Sequence, residues 1–283
     1  MKSLSYLSKV SGKARAAAFT LVDLLTVAAV LAVFALLLAP ALARTQLDSR
    51  VFQCLNNQGQ LARAWRMYAD DSNDKLPTNL HGGRAQNPTE PMWAAGWIDW
   101  TSAALNTNRL LLTDPRYSIL APYCGRDAGL FSCPADRFLS PPQRNLGWSQ
   151  RARSYSANIY NGAGNAEVGP TDYAFVHVLK LSQLVNPGPA ATWVSLDEHP
   201  DSINDGAFFA PRIGEWFDFP ANYHDGGAGV AFADGHTVMH RWQASVLKIP
   251  VKFIVPGGSI LTKLSDPDVA WLRYRTQRLP GRN

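Results

Sequence analysis

The sequence has little of two things, cysteine and net charge, and each scarcity excludes a class of protein. Only three of its 283 residues are cysteines, Cys54, Cys124 and Cys133, which is too few for a disulfide-rich scaffold. Positions 1–18 contain four of the 27 basic residues, which leaves 23 against 22 acidic residues in the remainder. We therefore expect no nucleic-acid partner, because the chain lacks the basic surface that a phosphate backbone requires.

The signatures of common catalytic sites are also missing. The sequence has no nucleophile elbow, phosphate-binding loop, dinucleotide fingerprint, HExxH zinc motif or EF-hand spacing. It also has no internal repeat and no low-complexity tract. These absences favour a structural or binding protein, so we expect no enzymatic activity and no obligatory cofactor.

The N-terminal region combines a basic leader with a long uncharged run. Residues 1–18 contain no acidic residue, and residues 24–43 contain no charged residue at all. At 1.5 Å per residue, such a run spans about 30 Å, the thickness of a hydrocarbon core. A positively charged segment next to a membrane span usually stays on the cytoplasmic side. The pattern therefore predicts a single-pass inner-membrane protein with a cytoplasmic N-terminus and an extracytoplasmic C-terminal domain.

The join between the leader and the run, residues 15–23, reads Arg-Ala-Ala-Ala-Phe-Thr-Leu-Val-Asp. It resembles the cleavage and methylation signal of type IV pilins and type II secretion pseudopilins, with Ala18 in place of the usual glycine and Asp23 in place of the usual glutamate. The resemblance implies that a prepilin peptidase cuts between Ala18 and Phe19 and methylates the new amine of Phe19. Asp23 would then neutralise the Phe19 ammonium of a neighbouring subunit in an apolar filament core.

A cleaved secretory signal peptide is the alternative interpretation of this region. The stretches Ala39-Pro-Ala41 and Ala41-Leu-Ala43 both offer small-residue cleavage patterns. The apolar run is longer than is usual for a signal peptide, and a carboxylate such as Asp23 has no role in one. The pilin-like interpretation is therefore favoured.

Apolar residues remain regularly spaced beyond the uncharged run. Apolar residues recur at intervals of three and four from Leu47 to Ala69, which predicts one helix from near Phe19 to about Ala69. We predict an α+β, pilin-like fold in which a long membrane-spanning N-terminal helix packs on an antiparallel β-rich domain. The predicted parts are the leader (1–18), the membrane-spanning assembly half of the helix (19–43), its amphipathic half (44–75), the extracytoplasmic β-rich domain (76–242) and a C-terminal extension with a short helix (243–283).

Three elements can be placed inside the C-terminal part. Residues 192–196 are typical of a strand, and residues 229–242 predict a hairpin with a two-residue turn at Asp234-Gly235 that pairs Phe232 with Thr237. A final helix is expected to begin at the Asp266-Pro267 cap and to run to about Gln277.

His224, nine intervening residues and Asp234-Gly235 form an H-X9-DG segment. With residues 54–57, 64–71, 131–136 and 153–156, it is similar to segments of a large group of prepilin-processed proteins. That resemblance implies an architecture more than an activity. We expect His224 to hydrogen-bond to backbone or carboxylate where the chain folds back before Asp234. A metal-binding or catalytic role, shared with His236 and His240, is the alternative.

Two further sequence patterns each allow two interpretations. Cys124 and Cys133 enclose a glycine-containing segment that can close as a disulfide, and two independent buried thiols are the alternative. The oxygen-rich stretch 197–205 can hold calcium, although a polar solvated loop explains it equally simply.

The expected function is that of a structural subunit, processed by prepilin peptidase and assembled into a type IV pilus or type II secretion-like filament. The expected partners are that peptidase, other pilin or pseudopilin subunits, the inner-membrane assembly machinery and the lipid bilayer. The alternative is a membrane-anchored extracytoplasmic binding protein or a hydrolase that acts on polysaccharide.

Overall fold

The structure, a computed structural model, describes residues 21–164, 175–254 and 259–278, with the side chains of residues 37–46 left out. The predicted cleavage site, Ala18 and Phe19, lies outside the described residues. The chain divides into two units, Met1–Gln46 and Leu47–Asn283.

The first helix, α1, extends over Leu21–Asp71, close to the predicted bounds. It ends where the chain turns at Asn73 and Asp74, both of which have positive φ, and the Asp74 N–H returns to the carbonyl of Ala69. The described side chains of its N-terminal part are exposed, whereas the second part buries a stripe that includes Cys54 and Trp65.

The prediction of a membrane-spanning helix is wrong. A crossing needs about 20 predominantly apolar residues in one helix. Among the residues that the structure describes, no helix combines sufficient length with sufficient hydropathy. This corrects both the predicted fold, with its membrane-spanning half-helix at 19–43, and the predicted location as a single-pass inner-membrane protein.

The described strands form two sheets. The strands are β1 Tyr155–Asn158, β2 Trp193–Asp197, β3 Ala207–Phe208, β4 Glu215–Trp216, β5 Gly227–Phe232, β6 Thr237–Arg241 and β7 Ile260–Leu261. The larger sheet has five strands in the order β3-β1-β2-β5-β6, and the smaller pairs β4 with β7. β1 and β3 are parallel while the other neighbours in the larger sheet are antiparallel. The α+β class is therefore correct, but the sheet is mixed and not antiparallel as predicted.

The other described helices are short. They are α2 Gly83–Gln86, α3 Leu110–Thr113, α4 Pro141–Asn145 and α5 Pro267–Tyr274, with 3-10 turns at Ala104–Thr107, Ala121–Cys124, Ala128–Phe131, Leu181–Gln183, Pro189–Ala191 and Ser245–Leu247. The cap predicted for α5 is observed, since the Asp266 carboxylate accepts hydrogen bonds from the N–H groups of Asp268 and Val269. The helix ends at Tyr274, one turn earlier than predicted.

The larger sheet separates two apolar cores. One core joins α1 residues such as Leu61 and Trp65 to Tyr155 and Val194 on one face of the sheet. The other core contains Trp193, Phe208, Val230, Phe232, Trp242 and Leu272. The amphipathic second part of α1 thus covers one face of the sheet, and α5 contributes to the core on the other.

The hairpin of β5 and β6 differs in register from the prediction. Ala231 pairs with Thr237, and the N–H of Phe232 donates to the carbonyl of His236. The loop therefore has three residues, 233–235, and Gly235 has a φ of 96°. A third loop residue in the left-handed region lets the strands keep their twist, and a two-residue turn is not formed.

Candidate functional site

Four buried side chains from four separate parts of the chain converge at one point in the Leu47–Asn283 unit. They are Cys54 of α1, Cys133 of the loop after Ala128–Phe131, Asp197 at the end of β2 and His224 just before β5. Each offers one ligand atom, and these four atoms lie within 4.8 Å of one another. We call this group the buried tetrad.

The side chains of the buried tetrad touch in two pairs. The Sγ of Cys133 lies 3.2 Å from Nε2 of His224, and the thiol of Cys54 donates to Oδ2 of Asp197 over 3.2 Å. Between the pairs, Nε2 of His224 is 3.9 Å from Oδ2 of Asp197. Two sulfurs, one ring nitrogen and one carboxylate oxygen therefore surround a common centre.

Helix α1 brings Cys54 to the sheet because one position of β5 has no side chain. A Cβ built on Gly229 would lie 2.5 Å from Nε2 of Gln58 and 3.1 Å from the Cys54 sulfur. Cys54 and Gln58 are one helical turn apart and therefore share the face of α1 that meets the sheet. Glycine at position 229 permits the close approach of helix and strand that forms the site.

Backbone hydrogen bonds hold the other ligands in place. The N–H of Cys133 donates to the hydroxyl oxygen of Ser154, and the N–H of Ala135 donates to the Cys133 sulfur over 3.4 Å. The N–H of Gly229 donates to Oδ2 of Asp197 over 2.9 Å. These bonds tie the ligands to the sheet and to the neighbouring loop.

Two polar side chains complete the surroundings of Cys54. Its sulfur accepts hydrogen bonds from Nε2 of Gln58 at 3.7 Å and from the hydroxyl of Tyr155 at 3.6 Å. The second oxygen of Asp197, Oδ1, is buried and has no hydrogen-bond partner within the described parts of the chain. A buried carboxylate oxygen without a partner is costly, so this atom requires an explanation.

The pKa values of the two thiols in the buried tetrad shift in opposite directions. Burial acts to raise the pKa of Cys54, but the nearby Cys133 and His224 side chains and the charge of His224 outweigh it and hold that pKa well below its usual value. Burial, followed by the interaction with Cys54, raises the pKa of Cys133 well above its usual value. Burial and the charge of Cys54 likewise raise the pKa of Asp197. The raised pKa values of Cys133 and Asp197 therefore oppose their ionisation beside a Cys54 thiolate.

The arrangement is closed to substrates. Cys54 and Asp197 are 0% exposed, and Cys133 and His224 are 1% and 5% exposed. A cysteine beside a histidine can serve as a nucleophile with its base, but nucleophilic catalysis needs a bound substrate within reach. The same donor set can instead hold a metal ion inside the protein.

The H-X9-DG segment contributes only its histidine to the buried tetrad. His224 and Asp234 lie at opposite ends of β5, Gly227–Phe232, which separates them by about 20 Å at the usual rise per residue. The chain does turn between His224 and Gly227, which exchange backbone hydrogen bonds, but this turn does not bring His224 to Asp234, because residues 227–232 are extended. His224 does meet a buried carboxylate, but it is that of Asp197.

Asp234 and Gly235 belong to the loop of the β5–β6 hairpin. Oδ1 of Asp234 accepts from the N–H of His236 over 3.1 Å and lies 2.5 Å from Nδ1 of the same residue. The ring of His236 stacks on Phe232 with centroids 4.3 Å apart. These contacts stabilise the turn, and they account for this part of the motif.

The alternative histidine cluster is not assembled. His240 stacks on Trp271 at 3.8 Å and its Nε2 lies 3.3 Å from Oδ1 of Asp268. It thus helps to attach α5 to the hairpin, and it does not approach His224 as a ligand. Among the described residues, the buried tetrad is the group whose ligand atoms converge.

The oxygen-rich stretch 197–205 is buried and not a solvated loop. Asp201 accepts from Nε1 of Trp100 and from the N–H of Lys252, and Asp205 accepts from the N–H groups of Gly82 and Ala207. The carboxylates are used to hold separate loops together. Apart from Asp197 in the buried tetrad, they do not form a convergent ligand set within the described residues.

The remaining predicted residues lie apart from the buried tetrad. All three cysteines are free thiols, so the predicted disulfide between Cys124 and Cys133 is not formed in the structure. Cys124 is half-buried and its thiol faces the carbonyl of Ala121. Asp23 is exposed in the first turn of α1.

Sequence reasoning missed the partnership of Cys54 and Asp197. The segments that resemble prepilin-processed proteins contain Cys54, Cys133, Tyr155 and His224. This common origin could have suggested that the four residues lie at one site. Asp197 lies outside those segments and was grouped with the calcium candidates. No signal in the sequence indicates that it meets two cysteines.

A surface groove lies elsewhere on the molecule. It has a volume of about 560 Å³ and is lined by residues of 243–246 and 261–267. Asp266, which lines it, already caps α5. No residue of the buried tetrad contributes to this groove.

Comparisons with known proteins leave the function to be inferred from geometry. No family profile matches the chain, and no curated protein or solved structure matches it significantly.

Proposed function

We propose that the chain is a pilin-like structural subunit, not an enzyme, that is processed by a prepilin peptidase and joins a filament through the N-terminal part of α1. The observation that carries this proposal is the exposure of apolar side chains along that part of the helix. Between Leu21 and Leu36 they stand at 49–75% exposure. They are Leu21, Val22, Leu24, Leu25, Val27, Val30, Leu31, Val33, Phe34 and Leu36.

The exposed side chains occupy every side of the helix. Leu24 and Leu25 are consecutive, and Val33 and Phe34 repeat the pair two and a half turns later. A helix that packs on its own domain has one apolar stripe and a polar opposite face. An apolar surface all round the helix is instead suited to burial among several other helices, and large exposed apolar patches mark interaction sites.

Copies of the same helix are the partners best suited to bury these apolar side chains. Burying one Val, Leu or Phe side chain is worth about 1.5–3 kcal/mol, so ten such residues supply ample free energy for lateral association. The only charged residue among 21–43 is Asp23. In a bundle it would face the new N-terminal ammonium of a neighbouring copy if cleavage occurs before Phe19.

The test combines N-terminal mass measurement with a charge variant. We expect the mature protein to begin with N-methylated Phe19 when it is produced with a prepilin peptidase. We expect Asp23→Ala to be cleaved normally but to be lost from filaments or high-order assemblies, which sedimentation and electron microscopy measure. Asp48→Ala is the matched control, because Asp48 is another exposed acidic residue of α1, and it should assemble like the parent.

Two results would contradict the proposal. One is a mature chain that begins near Arg44, which would show that the apolar segment is removed as an export signal. The other is equal assembly of the Asp23→Ala and parent proteins, which would remove the proposed pairing with Phe19.

A further inference from the structure

We propose that the buried tetrad is a structural zinc site in which Cys54, Cys133, Asp197 and His224 each provide one ligand. This inference is independent of filament assembly, since it concerns the interior of the Leu47–Asn283 unit and not the exposed part of α1.

The geometry fits four-coordinate zinc. Zinc bonds of about 2.0–2.3 Å at tetrahedral angles place neighbouring ligand atoms about 3.3–3.8 Å apart. In the structure, the Cys133–His224 and Cys54–Asp197 contacts are both 3.2 Å, and His224 to Asp197 is 3.9 Å. All pairs are within 4.8 Å, so shifts of a few tenths of an ångström to about 1 Å would bring every ligand to bonding distance.

The donor types select the metal. Two cysteines, an imidazole and one carboxylate form a mixed sulfur, nitrogen and oxygen set, which suits zinc. Calcium requires six to eight oxygen ligands and magnesium an octahedron of oxygens and water. Neither ion matches a site in which two of the four ligand atoms are sulfurs.

The charges of the ligands suit a divalent cation. When both cysteines bind as thiolates, two thiolates and a carboxylate surround the divalent ion, whose charge compensates theirs. Metal binding should therefore release protons.

The surroundings match those of a metal centre. Thiolate sulfur accepts weak hydrogen bonds, and the Cys54 sulfur has donors in Gln58 and Tyr155 while the Cys133 sulfur has the N–H of Ala135. Such neighbours orient ligands and temper their charge. The buried Oδ1 of Asp197, which has no partner among the described residues, would gain one if the carboxylate turned towards the metal.

The ligands indicate what the ion does. They come from α1, from the loop after Ala128–Phe131, from the end of β2 and from the turn before β5, and all four are buried. A site without an open position is structural. Zinc would fasten α1 to the sheet and to both loops, and its binding would be coupled to folding.

The rival chemistry is a disulfide between Cys54 and Cys133, whose sulfurs are within 4.8 Å. Formation of that bond would remove two electrons and two protons from the thiols and would need an external oxidant. The two outcomes exclude each other, because a disulfide cannot provide thiolate ligands.

The experiment uses the full chain, purified with a reductant and without chelator. We expect about one zinc per chain by elemental analysis. After replacement of zinc by Co²⁺, we expect the intense visible bands of tetrahedral cobalt and the near-ultraviolet bands of thiolate-to-cobalt charge transfer. Cys133→Ser should lose the metal, whereas Cys124→Ser is the matched control and should retain it, since Cys124 lies outside the buried tetrad.

A second variant keeps the test decisive if Cys133→Ser does not fold. Gln58→Met leaves all four ligands in place and removes the hydrogen bond to Cys54, together with the one that Gln58 accepts from the Ser195 hydroxyl, so zinc affinity should fall about 10–100-fold. The proposal is overturned if the folded, reduced parent protein binds neither Zn²⁺ nor Co²⁺. It is equally overturned if mass mapping finds a Cys54–Cys133 disulfide, or if Cys124→Ser loses the metal as Cys133→Ser does.

Discussion

The Sγ of Cys133 lies 3.2 Å from Nε2 of His224, although the two residues are 91 positions apart in the chain. Both side chains are buried, and their ligand atoms lie close to those of Cys54 in α1 and Asp197 in β2. Their contact joins the loop after Ala128–Phe131 to the turn before β5. The packing around this contact, and the charges buried near it, lead to four predictions.

The first prediction concerns the close approach of α1 to β5. Gly229→Ala places a Cβ 2.5 Å from Gln58 and 3.1 Å from the Cys54 sulfur, so the helix or its side chains must move. We expect a loss of about 1–3 kcal/mol in the free energy of unfolding, as is usual for overpacked cores. Urea denaturation measures this loss.

Gly188→Ala is the control for that variant. Position 188 has nothing within 4 Å of a built Cβ and a φ of −70°, which any residue can adopt. The urea midpoint of unfolding of Gly188→Ala should equal that of the parent or rise slightly. Equal stability of the Gly229→Ala and Gly188→Ala variants would show that α1 does not lie against β5 as described.

The second prediction concerns a buried ion pair. Arg151 and Asp136 are 3.6 Å apart with 1% and 7% of their side chains exposed, and Arg151 lies over the ring of Trp100 at 4.2 Å. Arg151→Met leaves the Asp136 carboxyl buried without its cation, so we expect a loss of about 3–5 kcal/mol in urea denaturation.

The surface pair of Arg116 and Asp114 provides the comparison. Their contact is 2.6 Å, shorter than that of the buried pair, but 77% of the Arg116 side chain is exposed. Arg116→Met should leave the midpoint of unfolding unchanged, because water solvates the carboxylate that remains. A similar loss in both variants would contradict the assigned burial of Arg151.

The third prediction concerns thiol reactivity. Cys54 and Cys133 are buried, whereas Cys124 is half-buried. In the native protein we expect only Cys124 to react with a disulfide reagent, and its raised pKa, caused by burial, should make that reaction slow. All three cysteines should react after unfolding in denaturant. Labelling of Cys54 alone in the unfolded, non-reduced protein would instead show that the Cys124–Cys133 disulfide forms.

The fourth prediction concerns pH. Burial, and next the charge of Asp218, raises the pKa of Glu198 well above its usual value, and Oε2 of Glu198 has no hydrogen-bond partner in the described parts of the chain. The folded protein therefore holds this proton at pH values at which the unfolded chain has lost it. The contribution of Glu198 to stability falls as pH rises above about 4.3, the pKa of an unperturbed glutamate. Relative to the parent, Glu198→Gln should gain stability with rising pH.

Asp268→Asn should show the opposite trend. Burial acts to raise the pKa of Asp268, but hydrogen bonds from His240 and from the N–H groups of Ala244 and Gln243 lower it below its usual value. Asp268 thus stabilises the fold above about pH 3.9, and that stability is lost as pH falls through the lowered pKa. The deficit of Asp268→Asn should shrink towards acid, as unfolding curves at several pH values will show. Parallel trends in the two variants would contradict the assigned environments.

Local patterns in the sequence determined the elements whose causes are local. The recurrence of apolar residues at intervals of three and four predicted the end of α1 at Asp71 to within about two residues, because those intervals are the helical period itself. The Asp266-Pro267 cap predicted the start of α5 for the same reason, since capping involves neighbouring residues only. Cys133 and His224 were also singled out, one as a disulfide candidate and the other as a motif histidine.

Only the tertiary structure decided what those residues do. Cys133 faces His224 and not Cys124, and Asp197 meets Cys54 over 3.2 Å across 143 positions of chain. Such contacts depend on the order of strands in the sheet and on the bare backbone at Gly229, and neither leaves a periodic trace in the sequence. The exposure of the apolar N-terminal side chains and the burial of the 197–205 carboxylates are likewise properties of packing, because they depend on which distant residues cover each side chain.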